Sequence, residues 1–309
     1  MSTSSDLSGQ RVLVTGASGQ LGHYLRAQLP AAGATVITTG RQVAPGVDHA
    51  ADLADAGSVT ALLTAVQPDV IIHAAACTDV DGIEREPDRG RLGNEVATRN
   101  LAEAAAAQGV YLLAVSTDMV FPGDGGAPYA EEAATRPISA YGASKLAAEE
   151  AVRSASPAFG IGRTAWLYGG AGKHFPRTVL TVLRDRGGME VVDDESGSPT
   201  FAGDLAAALI QAAALRAHGI LHLANDGGTS RFGLAQETAR LAGLSPASVR
   251  PISTAEFLAR YPLPAARPAD SRLANIRAAS LGVTLRPWSA ALADYVPHLA
   301  AELGLNRPQ

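Results

Sequence analysis

The stretch "RVLVTGASGQLGHYLRAQ", residues 11–28, joins a short apolar run to a helical pattern through a glycine-rich turn. The β-branched run predicts a buried strand, and the apolar spacing after the turn predicts a helix. Three glycines in GxxGxxG spacing allow a tight turn, a close approach of phosphate to the backbone, and close packing of the helix on the strand.

The start of such a helix also favours an anion, because its N–H groups are free and its end carries a partial positive charge. We therefore expect a dinucleotide-binding turn, and the alternative is an ordinary glycine-rich turn. The predicted cofactor contacts in this turn are Gly16, Gly19, Gln20, Leu21 and Gly22.

Strand and helix patterns alternate through much of the chain. Further apolar runs such as "DVIIHAAA" and "VYLLAVST" predict buried strands, and "FGIGRTAWLYG" predicts one more continuous strand. Between them, segments such as "NEVATRNLAEAAAAQG" and "AYGASKLAAEEAVRSA" predict helices. Few tight hairpin signals separate the strands. The sequence predicts an α/β fold, namely a Rossmann-type doubly wound parallel sheet with a smaller α/β substrate-binding cap domain.

The predicted domains are interleaved in sequence. Residues 1–167 would form the dinucleotide-binding Rossmann domain, and residues 203–225, with a helical pattern and the run "ILHLAND", would complete its sheet. The less regular remainder of residues 168–309 would form the substrate-binding domain.

Composition excludes several classes of protein. The 309 residues are 47% hydrophobic and 18% charged, with a net charge of −5, which is typical of a globular chain and offers no basic stripe for nucleic acid. No apolar run is long enough to cross a membrane. Cys77 is the single cysteine, so no internal disulfide forms, and we expect a cytoplasmic location. Histidines scattered across different segments show no metal-ligand spacing, so we predict no metal.

The end of the second strand bears on the choice of cofactor. A carboxylate there would bind the adenosine ribose of NAD, but "VITTGRQ" offers Arg41, which can pair with a 2′-phosphate. The sequence therefore favours NADPH, with NADH as the alternative. Asp52 and Leu53, in "ADLAD", suit the adenine ring, although Asp52 could instead cap a helix.

The segment "YGASK" places Tyr141 and Lys145 one helical turn apart. A nearby ammonium would lower the pKa of the phenol, and such a tyrosine can give a proton to a ketone oxygen. The strand "AVSTDMVF" ends with the polar residues Ser116, Thr117 and Asp118, where open α/β sheets bind ligands. Each pattern also occurs by chance, but their order behind the glycine turn favours a catalytic site.

This order of motifs resembles the extended short-chain dehydrogenase/reductases, and within them most closely the dTDP-4-dehydrorhamnose reductase family. The resembling segments include "STDMVFPG", "YGASKLAAEE", "VVDDESGSPTFAGDLA" and "RPADSRL", and they cover most of the chain. The resemblance implies NAD(P)H-dependent reduction of the 4-keto group of a nucleotide-activated 6-deoxyhexose. It implies no nucleic acid or membrane partner, and it makes a homodimer plausible.

The resemblance also implies residue roles. Thr117 corresponds to the catalytic threonine, Tyr141 to the proton donor and Lys145 to its partner, with Asn94 behind the lysine. The segment "HAAACTDVD" would touch the nicotinamide through Ala74, Ala75, Ala76 and Thr78, and the sugar through Val80. The other implied substrate contacts are Asp118, Met119, Trp166 and, facing the diphosphate, Arg267.

Several of these roles have alternatives. Trp166 could simply pack in the core, and Arg267 could be a solvated loop residue. Met119 replaces a tyrosine common in the family, and Lys173 and His174 replace asparagines, so the identity of the sugar stays open. The rival functions are a nucleotide-sugar epimerase or dehydratase, and a non-catalytic dinucleotide-binding regulatory subunit.

Overall fold

The computed structural model describes residues 6–125, 128–170 and 172–305; the outermost residues of both predicted domains lie outside these ranges. The strands of the described chain are β1 (Arg11–Thr15), β2 (Thr35–Gly40), β3 (His49–Ala50), β4 (Val70–His73), β5 (Tyr111–Thr117), β6 (Gly160–Thr164), β7 (Leu167–Tyr168), β8 (Met189–Val192), β9 (Ser196–Gly197), β10 (Thr200–Phe201), β11 (Gly219–His222), β12 (Thr229–Ser230) and β13 (Val249–Ile252).

The main sheet confirms the predicted fold class. Within the described residues it has seven strands in the order β11-β6-β5-β4-β1-β2-β3, and every pairing is parallel. The order reverses between β1 and β4, because the chain moves outward to β2 and β3 and then returns to the other side of β1. Such a reversal opens a crevice at the carboxyl ends of the strands, where open α/β sheets bind ligands.

Helices cover both faces of this sheet. The helices of the described chain are α1 (Gln20–Gln28), α2 (Ala56–Val66), α3 (Val80–Arg85), α4 (Pro87–Gly90), α5 (Ala97–Ala107), α6 (Ala140–Ala155), α7 (Phe175–Arg186), α8 (Ala202–Ala214), α9 (Arg231–Leu241), α10 (Thr254–Arg260), α11 (Ile276–Ser280) and α12 (Trp288–Glu302). A π-helical turn at Arg91–Val96 precedes α5, so this region is not the single regular helix predicted from residue 94 onward.

Alternate residues of β1 show how the two layers form. Val12 and Val14 pack in a core shared with α1 and α8, whereas Leu13 between them packs in the core shared with α2 and α5. All three side chains are fully buried, and each such burial contributes about 1.5–3 kcal/mol of hydrophobic stabilisation. The apolar strands without polar alternation therefore follow from burial on both faces.

Residues from 168 onward both leave and rejoin this sheet. Helices α7, α9 and α12 pack together with the small parallel pair β8–β13 away from the main sheet. Helix α8 packs on α1, and β11 pairs with β6 at the edge of the main sheet. These placements agree with the interleaved organisation, and the exact domain boundaries stay a prediction.

The prediction of one continuous strand in "FGIGRTAWLYG" is wrong. β6 ends at Thr164, and β7 pairs with β10 in a separate two-stranded sheet. Between the two strands, Trp166 has a φ of 44°, a left-handed conformation that is unusual for a bulky side chain. This residue turns the chain away from the main sheet and towards the cap.

Candidate active site

A cavity of about 1070 Å³ lies between the main sheet and the cap, at the carboxyl ends of β1, β4, β5 and β6. It brings together most of the residues predicted from the sequence. Those lining it are Gly16, Gly19, Gln20, Leu21, Gly22, Ala74, Ala76, Thr78, Val80, Thr117, Asp118, Met119, Tyr141, Lys145, Trp166 and Arg267.

The glycine turn has the geometry that its sequence predicts. Gly16 has a φ of 67°, and a Cβ added there would lie 2.7 Å from the backbone nitrogen of Ala75. A Cβ added at Gly22 would lie 2.3 Å from the carbonyl oxygen of Gly16. No side chain caps the first turn of α1, where Gly19 is the N-cap. The first N–H groups of this helix are therefore available to an anion such as a pyrophosphate.

The remaining predicted cofactor residues lie outside the lining of this cavity. Arg41 follows β2 and Asp52 follows β3 by two residues; because Gly40 and Ala50 are paired, Arg41 and Asp52 lie at the same edge of the sheet. The carboxylate of Asp52 accepts from the backbone N–H of Ala54, whereas Asp55 is the residue that caps α2, so Asp52 is not the cap.

Leu53 packs against the core shared by α2 and α5, and its carbonyl oxygen accepts from Asn100. Ala75 lies against Gly16, and its backbone N–H donates to the hydroxyl of Thr15. Their cofactor-binding roles, with those of Arg41 and Asp52, stay predictions.

Thr117 ends β5 and begins a short 3₁₀ turn. Its hydroxyl donates to Oδ1 of Asp118 over 3.0 Å and accepts from the backbone N–H of Met119 over 3.2 Å. Tyr141 lines the same cavity as Thr117. Thr117 therefore joins a buried acid to the cavity that contains the predicted proton donor.

Tyr141 lies in the first turn of α6. Ser139 caps this helix by accepting from the N–H of Gly142. Burial raises the pKa of Tyr141 to about 12, the Asp118 carboxylate adds to the rise, and the nearby Thr117 hydroxyl opposes it. The predicted lowering of this pKa by Lys145 is therefore wrong for the structure as it stands. Tyr141 is protonated at neutral pH, which is the form that a proton donor needs.

Lys145 is directed to the backbone of β5. Its Nζ donates to the carbonyl oxygen of Val115 over 2.8 Å. Burial lowers the pKa of Lys145 to about 8, and the carboxylate of Glu149 opposes the change. At neutral pH the side chain therefore carries most of a positive charge beside the cavity.

The side chain of Asn94 contacts Ser144, the residue that precedes Lys145 in α6. Its side chain makes two hydrogen bonds with the backbone of Cys77, at 2.7 and 3.1 Å, and donates to the hydroxyl of Ser144 over 2.9 Å. It joins the loop after β4 to α6. Its position behind Lys145, implied by the resemblance, stays a prediction.

The substrate side of the cavity contains residues that sequence reasoning missed. Asp118 accepts from the hydroxyl of Ser271, and burial raises the pKa of Asp118 while the hydrogen bonds from Ser271 and Thr117 oppose the rise. Ser271 lies in "RPADSRL", a segment quoted for its resemblance, but nothing in the sequence singled it out. Its partner is 153 positions away.

The ring of Trp166 makes a cation–π contact with Arg231. The guanidinium carbon of Arg231 lies 3.5 Å from the centre of its ring, and Arg231 in turn lies 3.8 Å from the carboxylate of Glu195. A Cβ added at Gly197 would lie 2.2 Å from the indole. Trp166 is therefore fixed at the cavity wall and is not a general core residue. Glu195 lies in the segment "VVDDESGSPTFAGDLA" but was not singled out there, and no sequence motif indicated Arg231.

Arg267 reaches the cavity with most of its donors already engaged. Its guanidinium donates to both carboxylate oxygens of Asp81 and to the carbonyl oxygen of Ala265. The ion pair lowers the pKa of Asp81. A diphosphate role would require Arg267 to share these donors, and it stays a prediction.

The two unusual residues after Gly172 have different positions. Lys173 is exposed at the cavity, and its carbonyl oxygen accepts from Gln20. His174 is buried, caps α7 and shares a 2.9 Å hydrogen bond with the hydroxyl of Tyr295. His174 therefore has a structural role. Among the described residues, no group of three or more His, Cys, Asp and Glu side chains could hold a metal ion, and no helix could span a membrane.

Comparison with known proteins identifies the family. The family described as RmlD substrate binding domain matches residues 10–301, almost the whole chain. The chain belongs to this family. A dTDP-4-dehydrorhamnose reductase of Streptomyces griseus is 43% identical over 305 residues, which cover 96% of this chain and 97% of that protein. The enzyme of the same name from Mycobacterium tuberculosis is 39% identical, with 96% of each chain covered.

Solved structures from the same family agree with this fold. A dTDP-4-dehydrorhamnose reductase from Clostridium acetobutylicum has a TM-score of 0.86 and 34% identity, covering 94% of this chain and 99% of that one. The enzyme from Bacillus anthracis, solved in complex with NADP, also has a TM-score of 0.86, with 33% identity and coverage of 93% and 98%. Both solved structures therefore match the main sheet and the cap of this chain together.

Proposed function

We propose that this protein is an NADPH-dependent reductase of the 4-keto group of a dTDP-activated 6-deoxyhexose, with dTDP-4-dehydrorhamnose as the expected substrate. The observation that carries the proposal is the buried cluster of Thr117, Tyr141 and Lys145 at the cavity. All three residues are buried and line this cavity, and the amine of Lys145 is held by the carbonyl oxygen of Val115. The relatives at about 40% identity carry the name of this reaction over nearly their full length.

NADPH is the proposed cofactor. The related Bacillus anthracis enzyme was solved with NADP, and Arg41 at the end of β2 offers a cation to a 2′-phosphate. The glycine turn leaves its backbone open to a pyrophosphate. A side chain at Gly16 or Gly22 would collide with the neighbouring backbone, so this compact turn requires glycine at both positions. When bound, the cofactor supplies the hydride for the reduction.

The protein supplies the proton and the orientation. Tyr141 donates its hydroxyl proton to the sugar oxygen as negative charge develops there, which in general contributes about 10²- to 10⁴-fold in rate. Thr117 holds that oxygen beside Tyr141, exchanging its present donation to Asp118 for one to the substrate. The positive charge of Lys145 at the same cavity would favour the negative charge that develops on the phenol oxygen during transfer, whereas in the resting structure burial dominates and raises the pKa of Tyr141.

The proposed substrate contacts line the same cavity. Val80, Asp118, Met119 and Trp166 would surround the sugar, and Arg267 would approach the diphosphate. A homodimer and a cytoplasmic location are further parts of this proposal. They rest on the resemblance and on the single cysteine, and light scattering of the purified protein tests the oligomeric state.

The test of the proposal is oxidation of NADPH by the purified protein with dTDP-4-dehydrorhamnose. The proposal expects one NADPH consumed for each sugar reduced, with NADPH preferred to NADH. An epimerase or dehydratase would convert the sugar without net consumption of NADPH. A regulatory subunit would bind NADPH tightly and turn over none of several keto-sugars. Either result would overturn the proposal.

A further inference from the structure

A buried ion pair lies one helical turn from Lys145. Arg163 of β6 donates to both carboxylate oxygens of Glu149 in α6, over 2.8 and 2.7 Å. The two side chains are only 2% and 1% exposed. Removing two charges from water is costly, and such a pair often stabilises a fold no better than apolar side chains of similar size. Fold stability alone therefore gives no reason for this pair.

Glu149 also contacts the end of β5. The hydroxyl of Ser116 donates to Oε1 of Glu149 over 2.6 Å, and Ser116 is paired in register with Arg163. The carboxylate thus joins α6 to two neighbouring strands through three hydrogen bonds. Ser116 immediately precedes Thr117, the residue proposed to hold the sugar oxygen. Glu149 therefore fixes the strand at the position next to Thr117.

The same part of β5 anchors the catalytic lysine. The carbonyl oxygen of Val115, two residues before Thr117, accepts from Nζ of Lys145 over 2.8 Å. On α6, Tyr141 lies one turn before Lys145, and Glu149 lies one turn after it. The junction between β5 and α6 therefore sets how Thr117 stands relative to both catalytic residues of the helix.

The charge of Glu149 also acts on Lys145. Burial lowers the pKa of Lys145 to about 8, and the Glu149 carboxylate opposes this change. Arg163 faces Glu149 from β6, His222 of β11 lies in the field of Arg163, and His73 of β4 lies in the field of Lys145. Burial lowers the pKa of His73 to about 3 and that of His222 to about 4, so both are neutral at neutral pH. Glu149 is thus a buried negative group that favours the charged lysine.

We propose that Glu149 is a positioning residue for the reduction. By holding Ser116, it fixes the end of β5, and hence Thr117, against α6. Glu149 is not among the described residues that line the active-site cavity, so it acts through its neighbours. Misplacement of a reacting group by about 1 Å can lower a rate about a hundredfold. This inference rests on the proposed function.

The charge of Lys145 can be measured without turnover. The chain has only two lysines, Lys145 and Lys173, so NMR of protein labelled with ¹³C at the lysine Cε gives one signal from each. Glu149→Gln keeps the shape of the side chain and removes its charge. The midpoint of the Lys145 titration, about 8 in the wild type, should therefore shift to lower pH. Glu150→Gln, a change at the next and exposed residue of α6, is the matched control and should leave the midpoint unchanged.

Ser116→Ala tests the contact with β5. It leaves the ion pair of Glu149 intact, so it also serves if Glu149→Gln does not fold. Without the hydroxyl, Thr117 is less well fixed, and kcat with dTDP-4-dehydrorhamnose should fall about tenfold or more. NADPH affinity, measured by calorimetry, should stay that of the wild type. Ser116→Thr keeps a hydroxyl and should recover most of kcat, whereas a merely structural contact would change the unfolding temperature alone.

Any of three results would overturn the inference. An equal Lys145 midpoint in the wild type and Glu149→Gln would show that the carboxylate does not act on the lysine. A wild-type kcat in Ser116→Ala would show that the contact does not position Thr117. Weaker NADPH binding by Ser116→Ala would make Ser116 a cofactor contact instead. If the midpoint shifts in Glu149→Gln but the wild type reduces no dTDP-4-dehydrorhamnose, the effect of Glu149 on the lysine stands and the proposed function fails.

Discussion

The guanidinium of Arg267 and the carboxylate of Asp81 are joined by two hydrogen bonds, of 2.9 and 2.7 Å, across 186 positions of sequence. Asp81 lies in the first turn of α3, directly after Val80 at the cavity. Arg267 lies in the segment after α10. Each side chain is about one quarter exposed, so the pair is partly desolvated and ties the cap to the edge of the sheet domain.

Replacing Asp81 by asparagine should destabilise the fold. The variant leaves the Arg267 guanidinium without its charged partner, and the loss of such hydrogen bonds costs about 1.5–3 kcal/mol of unfolding free energy. Denaturant unfolding measures it. Asp88→Asn is the control, because Asp88 pairs with Arg91 in the open solvent and such pairs contribute about 0–1 kcal/mol.

The same pair predicts a pH dependence. The folded-state pKa of Asp81 is lowered by Arg267, below the unfolded value of about 3.9. The stabilisation is therefore complete above the unfolded pKa and is lost as pH falls through the lowered folded pKa. The difference in unfolding free energy between wild type and Asp81→Asn should shrink in that acid range. A difference that is constant with pH would contradict the assigned ion pair.

Replacing Lys145 by methionine should abolish reduction without weakening the fold at neutral pH. The folded-state pKa of Lys145 is about 8, against about 10.4 in an unfolded chain, so the unfolded state binds more protons between these values. Wild-type stability should consequently rise with pH across this window relative to the variant.

Unfolding free energies of both proteins over a pH series check this prediction. Lys173→Met provides the control for loss of a lysine that is exposed rather than buried. If the difference in unfolding free energy between wild type and Lys145→Met does not change with pH, the lowered pKa assigned to buried Lys145 is contradicted.

Replacing Gly197 by alanine should impair the sugar site alone. The new Cβ would lie 2.2 Å from the indole of Trp166, which must move. Misplacement of a positioning group by about 1 Å can cost about a hundredfold in kcat/KM. NADPH affinity should be retained. Gly57→Ala in α2 is the control, because the new Cβ would lie 3.5 Å from the carboxylate of Asp55, an ordinary van der Waals contact. Normal kcat/KM in Gly197→Ala would remove Trp166 from the substrate site.

Replacing Arg41 by alanine should reduce the preference for NADPH. Loss of a charge-assisted contact with the 2′-phosphate should lower kcat/KM for NADPH about tenfold or more, with little change for NADH. The ratio of the two values measured in parallel checks this. If the ratio in the variant equals that of the wild type, the 2′-phosphate is bound by another group.

Local signals in the sequence were sufficient for many elements. Helix α6 spans Ala140–Ala155, as its pattern predicts, because Ser139 caps it and its apolar spacing is regular. The strand break at Trp166 was missed. A left-handed tryptophan is stabilised here by Arg231, which lies far along the chain, so no pattern within "RTAWLYG" could reveal it.

The site was predictable where topology alone decides it. Parallel strands end at one edge, so Thr117 and the glycine turn had to lie near each other once the fold class was known. The electrostatics were not predictable in this way. The pKa of Tyr141 depends on burial, and the engagement of Arg267 depends on Asp81 in a different part of the chain. Neither is visible from the spacing of the motifs.

The most direct test of the account compares NADPH oxidation by the wild type and by Tyr141→Phe with dTDP-4-dehydrorhamnose. The phenylalanine variant removes only the proposed proton donor and keeps the buried ring in α6. The account predicts normal NADPH binding and a kcat lowered about 10²- to 10⁴-fold. A kcat near that of the wild type would contradict the assignment of Tyr141 as the acid and, with it, the proposed mechanism.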